Sequence, residues 1–255
     1  MTKRAAALLI DNDNDISRRK GKNGNTQVQK KVKSISTTNA TRNMKLQTLS
    51  PLNEAQRQMM VAFSSGMHVV AEGSAGTGKS YVGMYLALRE MFDSNVTNVK
   101  IIRSAVPGRD VGFLPGSLED KTAVYELPYK DIVNDLLCNG TAYDIMSNHG
   151  AIDFMTTSYL RGLTFRNCVL LIDEFQNMSK IEIYSILTRV GENCRVILCG
   201  DTKQKDLSMS QSGFEYLITL ANCMPDMIDM VHFTAHDIVR SEFVKRLIMA
   251  EERED

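Results

Sequence analysis

Along the chain, short apolar runs alternate with stretches whose apolar residues recur at helical spacing, and this alternation begins only at Thr48. Ser50-Pro51-Leu52-Asn53-Glu54 has the make-up of a helix entry, and Met59, Met60, Ala62 and Phe63 supply one apolar face, so a first helix is expected to end near Gly66. His68 to Ala71 then reads as a strand, Lys79 to Phe92 as a helix, Val99 to Ile102 as a strand and Thr122 to Leu137 as a helix. Strands at Ile152 to Met155, Cys168 to Ile172 and Val196 to Cys199 follow, with a helix over Lys180 to Val190 before the last of them. Helices over Phe214 to Ala221 and Glu242 to Ala250 flank a strand-like stretch from Met227 to Phe233. Such alternation predicts a mostly parallel sheet covered by helices on both faces. Val169-Leu170-Leu171-Ile172 is apolar at every position, as a central strand buried on both sides requires.

Residues 1–47 break this pattern. They are free of aromatics, rich in Asn, Thr, Ser and Lys, and show no sustained apolar period, so a disordered tail (1–47) is expected ahead of one folded domain (48–255). Charge follows the same division. The 255 residues balance 30 Lys/Arg against 30 Asp/Glu, yet the first 48 hold 11 bases and 3 acids, so a segment near +8 precedes a body near −8. A basic arm can grip nucleic acid or can simply be solvated, and both readings stay open at this point.

Five cysteines, odd in number and without a Cys-x-x-Cys pair, are expected as buried thiols of a reducing, cytoplasmic compartment. The apolar stretch before Asp11 is too short for a secretory signal and no run is long enough to cross a bilayer, so no membrane partner is expected. His68, His149, His232 and His236 form no zinc-binding spacing with the cysteines.

Gly73-Ser74-Ala75-Gly76-Thr77-Gly78-Lys79-Ser80 matches G-x-x-x-x-G-K-[ST] in full. Glycines allow the backbone to curl so that successive N–H groups face a β-phosphate, Lys79 reaches the β and γ oxygens, and Ser80 is suited to ligate Mg²⁺. A strand precedes the motif and a helix follows it, so the helix start adds partial positive charge. Val169 to Ile172 ends in Asp173-Glu174, which supplies a metal-binding acid and, beside it, a base for the attacking water. Gly200-Asp201-Thr202-Lys203-Gln204 follows another strand, and Gln204 can bond the γ-phosphate or the water as a sensor of hydrolysis. Arg240, in His236-Asp237-Ile238-Val239-Arg240, is placed to stabilise transition-state charge in cis or from a neighbouring subunit. The set points to ATP with Mg²⁺, and the adjacent Glu174 argues for hydrolysis over phosphoryl transfer to a small molecule.

These residues in this order resemble the PhoH-like ATPases, a P-loop family whose core is similar to superfamily 1 helicases. The resemblance runs from about Leu49 to the last helix. It is carried by the P-loop, Asp173-Glu174-Phe175-Gln176-Asn177, Arg103, Pro107-Gly108, Gly112-Phe113-Leu114-Pro115-Gly116, Tyr159, Arg161-Gly162, Phe165, Gly200-Asp201 with Gln204, and Ile238-Val239-Arg240. It implies a RecA-like α/β fold, Mg²⁺-dependent ATP hydrolysis, ring-shaped homo-oligomers with a hexamer among the forms, and an RNA-linked role. Helicase activity is an extension of that role, with single-stranded RNA expected ahead of DNA. Gln56, in Asn53-Glu54-Ala55-Gln56, resembles an adenine-reading glutamine just before the core.

Ser74 stands where the family commonly has Pro and Ser80 where Thr is common; backbone N–H groups and a hydroxyl remain available in both cases. The tail is too short for a PIN nuclease domain, so no nuclease activity is expected, and without a second motor-like domain any translocation needs several subunits. A nucleotide-dependent assembly or regulatory module, binding ATP and a protein partner without moving on nucleic acid, is the alternative.

Overall fold

The computed structural model describes residues 43–104, 118–160, 162–201 and 213–251. Among them six strands form one sheet: β1 (His68–Gly73), β2 (Asn98–Arg103), β3 (Ile152–Thr156), β4 (Cys168–Asp173), β5 (Cys194–Gly200) and β6 (Ile228–Phe233). Their order is β3-β2-β4-β5-β1-β6, and every neighbouring pair is parallel. The helices are α1 (Glu54–Ser64), α2 (Lys79–Phe92), α3 (Leu118–Leu136), α4 (Ala142–Asn148), α5 (Lys180–Leu187), α6 (Phe214–Cys223) and α7 (Glu242–Glu251). This is the RecA-like arrangement expected from the sequence, with β5 inserted between β1 and β4.

Successive strand residues face opposite sides of a sheet, and here both sides are covered. Val69, Ala71, Val169, Leu171, Ile197 and Cys199 pack with buried residues of α1 to α4. Val70, Leu170, Ile172, Val196 and Leu198 pack instead with Ile183 and Ile186 of α5 and Leu217 of α6. β4 is buried at all six positions, which is why its sequence is continuously apolar.

Capping explains several helix starts. The Asn53 side chain accepts the Gln56 N–H at 2.8 Å at the head of α1, and Ser179 with Glu182 forms a reciprocal capping box at the head of α5. Helix α4 has no counterpart in the sequence reading. Its seven residues are too few to display a period, and only Ala142, Tyr143 and Met146 are buried. Helix α3 begins four residues ahead of the expected Thr122 and contains Pro128, whose missing N–H removes one internal hydrogen bond.

The expectation of uniformly buried thiols needs correction. Cys168 and Cys199 are buried, Cys194 is half-buried, and Cys138 and Cys223 are exposed. Cys138 lies just past the end of α3 with φ 47°, and Cys223 is the last residue of α6, positions where the chain turns outward. Among the described residues no helix is long and apolar enough to cross a membrane.

Candidate nucleotide-binding and hydrolysis site

Parallel strands deliver their carboxyl ends to one edge of the sheet, where open α/β folds bind ligands. Strand register aligns Arg103 with Asp173, Asp173 with Cys199, and Gly73 with Phe233. Candidate residues far apart in sequence therefore share one row.

The turn after β1 is shaped by contact with β6. Gly73 has φ 127°, and a Cβ there would stand 1.8 Å from the Phe233 carbonyl oxygen, which also accepts the Ser74 N–H at 2.9 Å. Only glycine fits. Gly78, at φ 85°, caps α2 without any side-chain hydrogen bond, so the first N–H groups of α2 face outward with the positive end of the helix dipole behind them. Ser74 and Thr77 are buried, and the Thr77 hydroxyl donates to the Ser74 carbonyl at 3.0 Å, closing the loop on itself. Ala75, Gly76, Gly78, Lys79 and Ser80 line a cavity of about 730 Å³ together with Gln56, Asp173, Glu174 and Arg240.

The Lys79 ammonium is buried and donates to the carbonyls of Gly73 at 2.8 Å and Ser74 at 2.7 Å. Burial pushes its pKa down, opposed by the Asp201, Asp173 and Glu174 carboxylates. Ser80 Oγ donates to Asp173 Oδ1 at 2.9 Å, the Glu174 N–H donates to the same oxygen at 3.1 Å, and the Tyr129 hydroxyl of α3 donates to Oδ2 at 2.8 Å.

Glu174 adopts the left-handed region, φ 55° and ψ 41°, which turns the chain sharply as it leaves β4. A non-glycine residue held there stores roughly 1–3 kcal/mol of strain, a feature that clusters at functional sites. Gln176 Nε2 donates to Glu174 Oε2 at 2.5 Å, while the Gln176 oxygen accepts the Asp201 N–H at 3.0 Å. Buried Gln176 thereby ties the end of β4 to the end of β5. The Arg103 guanidinium lies 3.8 Å from Glu174 Oε1. Burial and the neighbouring Asp173 charge raise the Glu174 pKa, and the Gln176 bond, Arg103 and Lys79 restrain the rise.

Gln56 is buried, with Nε2 donating to the Thr77 carbonyl at 2.9 Å and Oε1 accepting the Leu52 N–H at 2.9 Å. The Val239 N–H donates to the Gly76 carbonyl at 3.0 Å, and the exposed Arg240 side chain lies along the loop at Gly76. Gln204, Arg161, Pro107-Gly108 and the Gly112 to Gly116 loop lie outside the described residues. Sequence reasoning missed Tyr129, for which no local signal existed, since nothing in α3 marks one tyrosine as facing β4.

The Ser80 hydroxyl and Asp173 carboxylate are hard oxygen donors of the kind Mg²⁺ takes. Among the described residues no group of three or more His, Cys, Asp or Glu could hold a metal unaided. The donor set thus fits an ion that draws its other ligands from phosphate and water, which is the habit of Mg²⁺.

Sheet order and loop together define the P-loop class of nucleotide-binding folds. A family model described as PhoH-like protein matches residues 48–252. The chain belongs to the PhoH-like protein family. It is 32% identical over 201 residues to Protein PhoH of Escherichia coli (strain K12), covering 78% of this chain and 56% of that relative. It is 29% identical over 217 residues to a PhoH-like protein of Bacillus subtilis (strain 168), covering 84% and 67%. The chain thus spans little more than half the length of the first of these relatives. Among solved structures, the large terminase of a thermophilic bacteriophage in complex with ADP overlaps 77% of this chain and 49% of its own, with a TM-score of 0.45 at 13% identity.

Proposed function

We propose that residues 48–255 bind ATP with Mg²⁺ and hydrolyse it, and that the chain couples turnover to single-stranded nucleic acid, RNA ahead of DNA, as a homo-oligomer. The observation that carries the hydrolytic part is the division of labour between two adjacent carboxylates. Asp173 is tied to Ser80 of the loop, whereas Glu174 is turned away by its backbone and held by Gln176 near Arg103. One acid is thereby suited to a metal, the other to a water.

In this reading the N–H groups of Ala75 to Lys79 cradle the β-phosphate, and Lys79 exchanges its loop carbonyls for phosphate oxygens. Ser80 and Asp173 hold Mg²⁺, which when bound neutralises phosphate charge. Glu174 takes the proton of the attacking water, and its raised pKa brings it closer to the pH at which it works. Arg240 offers its charge above the loop, and Gln204 orients the water or senses the γ-phosphate. Gln56 uses one amide hydrogen and one carbonyl lone pair internally, so one donor and one acceptor remain. That pair is complementary to the N7 acceptor and N6 donor edge of adenine.

Support for the nucleic-acid part comes from the first 48 residues, with 11 bases against 3 acids, and from the likeness of the family's core to superfamily 1 helicases. The acidic remainder favours a second reading, an ATP-dependent assembly module that recruits a protein. Phosphate release measured at low salt, with and without single-stranded RNA and DNA, tests the first: turnover should require Mg²⁺ and rise with a strand present. A rate indifferent to every strand removes the coupling. Deleting residues 1–47 then separates an arm that binds from a core that binds, and the solution mass reports the assembly.

A further inference from the structure

Asp173 is reached from three directions, and only two of them belong to the P-loop and its own strand. The third is α3. Tyr129 is 1% exposed, its ring packs 5.6 Å from that of Phe154, and its hydroxyl donates to Asp173 Oδ2 at 2.8 Å. Ser80 and the Glu174 N–H share Oδ1, so among the described residues the Tyr129 bond is what fixes the orientation of the second oxygen. A free carboxylate rotates broadly about its last torsion. Donors on both oxygens pin it.

One helical turn earlier, the Tyr125 ring lies 5.3 Å from the Arg103 guanidinium, the same group that stands 3.8 Å from Glu174. Residues four apart share a helix face, so a single face of α3 addresses both acids, Asp173 directly and Glu174 through Arg103. Pro128 lies between the two tyrosines.

We propose that Tyr129 is a positioning residue that holds the Asp173 carboxylate in the orientation needed for a nucleotide-bound Mg²⁺. This rests on the reading of Asp173 as the metal-binding acid. A group behind a metal ligand affects metal affinity by about tenfold or more when removed, whereas a hydroxyl that only fills the core leaves the metal response alone.

The test uses the full chain and its Tyr129→Phe variant, which keeps the ring and deletes the hydroxyl. Binding of a fluorescent, non-hydrolysable ATP analogue is measured in Mg²⁺ and in EDTA, with the Mg²⁺ concentration for half-maximal ATPase as a second readout. Affinity in EDTA should agree with wild type within about twofold, affinity in Mg²⁺ should fall about tenfold, and the Mg²⁺ midpoint should rise by a similar factor. Unchanged affinity in Mg²⁺ overturns the proposal. So does an equal loss in both buffers, or a variant that fails to fold, either of which assigns the hydroxyl to the scaffold. The wild type separates the two readings: if Mg²⁺ does not tighten its binding, the metal role of Asp173 fails and Tyr129 falls with it.

Discussion

Ser80 Oγ donates to Asp173 Oδ1 at 2.9 Å across 93 positions of sequence, joining the head of α2 to the end of β4 by a single hydrogen bond. Replacement by Ala removes the hydroxyl and should lower Mg²⁺-dependent turnover by about a hundredfold, in the range seen when one preorganised polar group is lost. Ser80→Thr keeps the oxygen and should stay within about threefold of wild type. Steady-state phosphate release across a Mg²⁺ titration checks both variants.

Glu174→Gln should reduce turnover by about 10²–10⁴-fold while nucleotide affinity is retained, since the amide fills the same space but accepts no proton. The pH profile carries a sign. Because the folded pKa is raised above the ordinary 4.5, activity should fall as pH drops through that raised value, giving an acidic limb shifted upward from the ordinary one. Arg103→Ala removes a charge that restrains the rise and should move the limb further up.

The same shift makes a statement about stability. A carboxyl whose folded pKa is raised contributes most below its unfolded value and loses that contribution as pH rises through the folded one. Glu174→Gln should therefore melt above wild type at neutral pH, and the difference should close near pH 4. Thermal melts at several pH values report it, and a gap that widens on acidification contradicts the assignment.

Gly73→Ala would drive a methyl into the Phe233 carbonyl, 1.8 Å away. Backbone cannot yield there without parting β1 from β6, so a loss of about 3 kcal/mol or more is expected, among the larger effects of single substitutions. Urea unfolding measures it. An alanine tolerated within about 1 kcal/mol would mean that the β1–β6 pairing is softer than its register suggests.

Gln56→Ala removes both the brace on the Thr77 carbonyl and the adenine-facing pair. KM for ATP should rise about tenfold, a loss of about 1.4 kcal/mol, and that for GTP by less, the difference between the two measuring base reading. Equal increases would leave Gln56 as a brace alone.

How much of this could be seen in the sequence differs by residue. Strands β1, β4 and β5 announce themselves because two-sided burial demands unbroken apolar runs, and the loop because phosphate binding demands glycines at fixed spacing. Asp173-Glu174 follows β4 directly, so its place at the sheet edge is a matter of counting. Tyr129 and Arg103 are different. Their meaning lies in strand order and in the rotation of α3, both set by tertiary packing, and a tyrosine facing a carboxylate looks in sequence like one facing a core. Helix α4 escaped for want of length, and Gln56 was marked only by resemblance, its brace on the Thr77 carbonyl being visible only in the fold.

Placing β5 between β1 and β4 sets a distance. Neighbouring strands lie about 4.8 Å apart, so strands once removed stand roughly 10 Å apart at their ends. The inserted strand therefore separates the loop and the acid pair at the backbone, a span that the Ser80 and Asp173 side chains close with one hydrogen bond, while Gly200 and Asp201 line the cavity beside them. The spacing of the proposed cradle and acids is thus a property of strand order, built before any side chain is chosen.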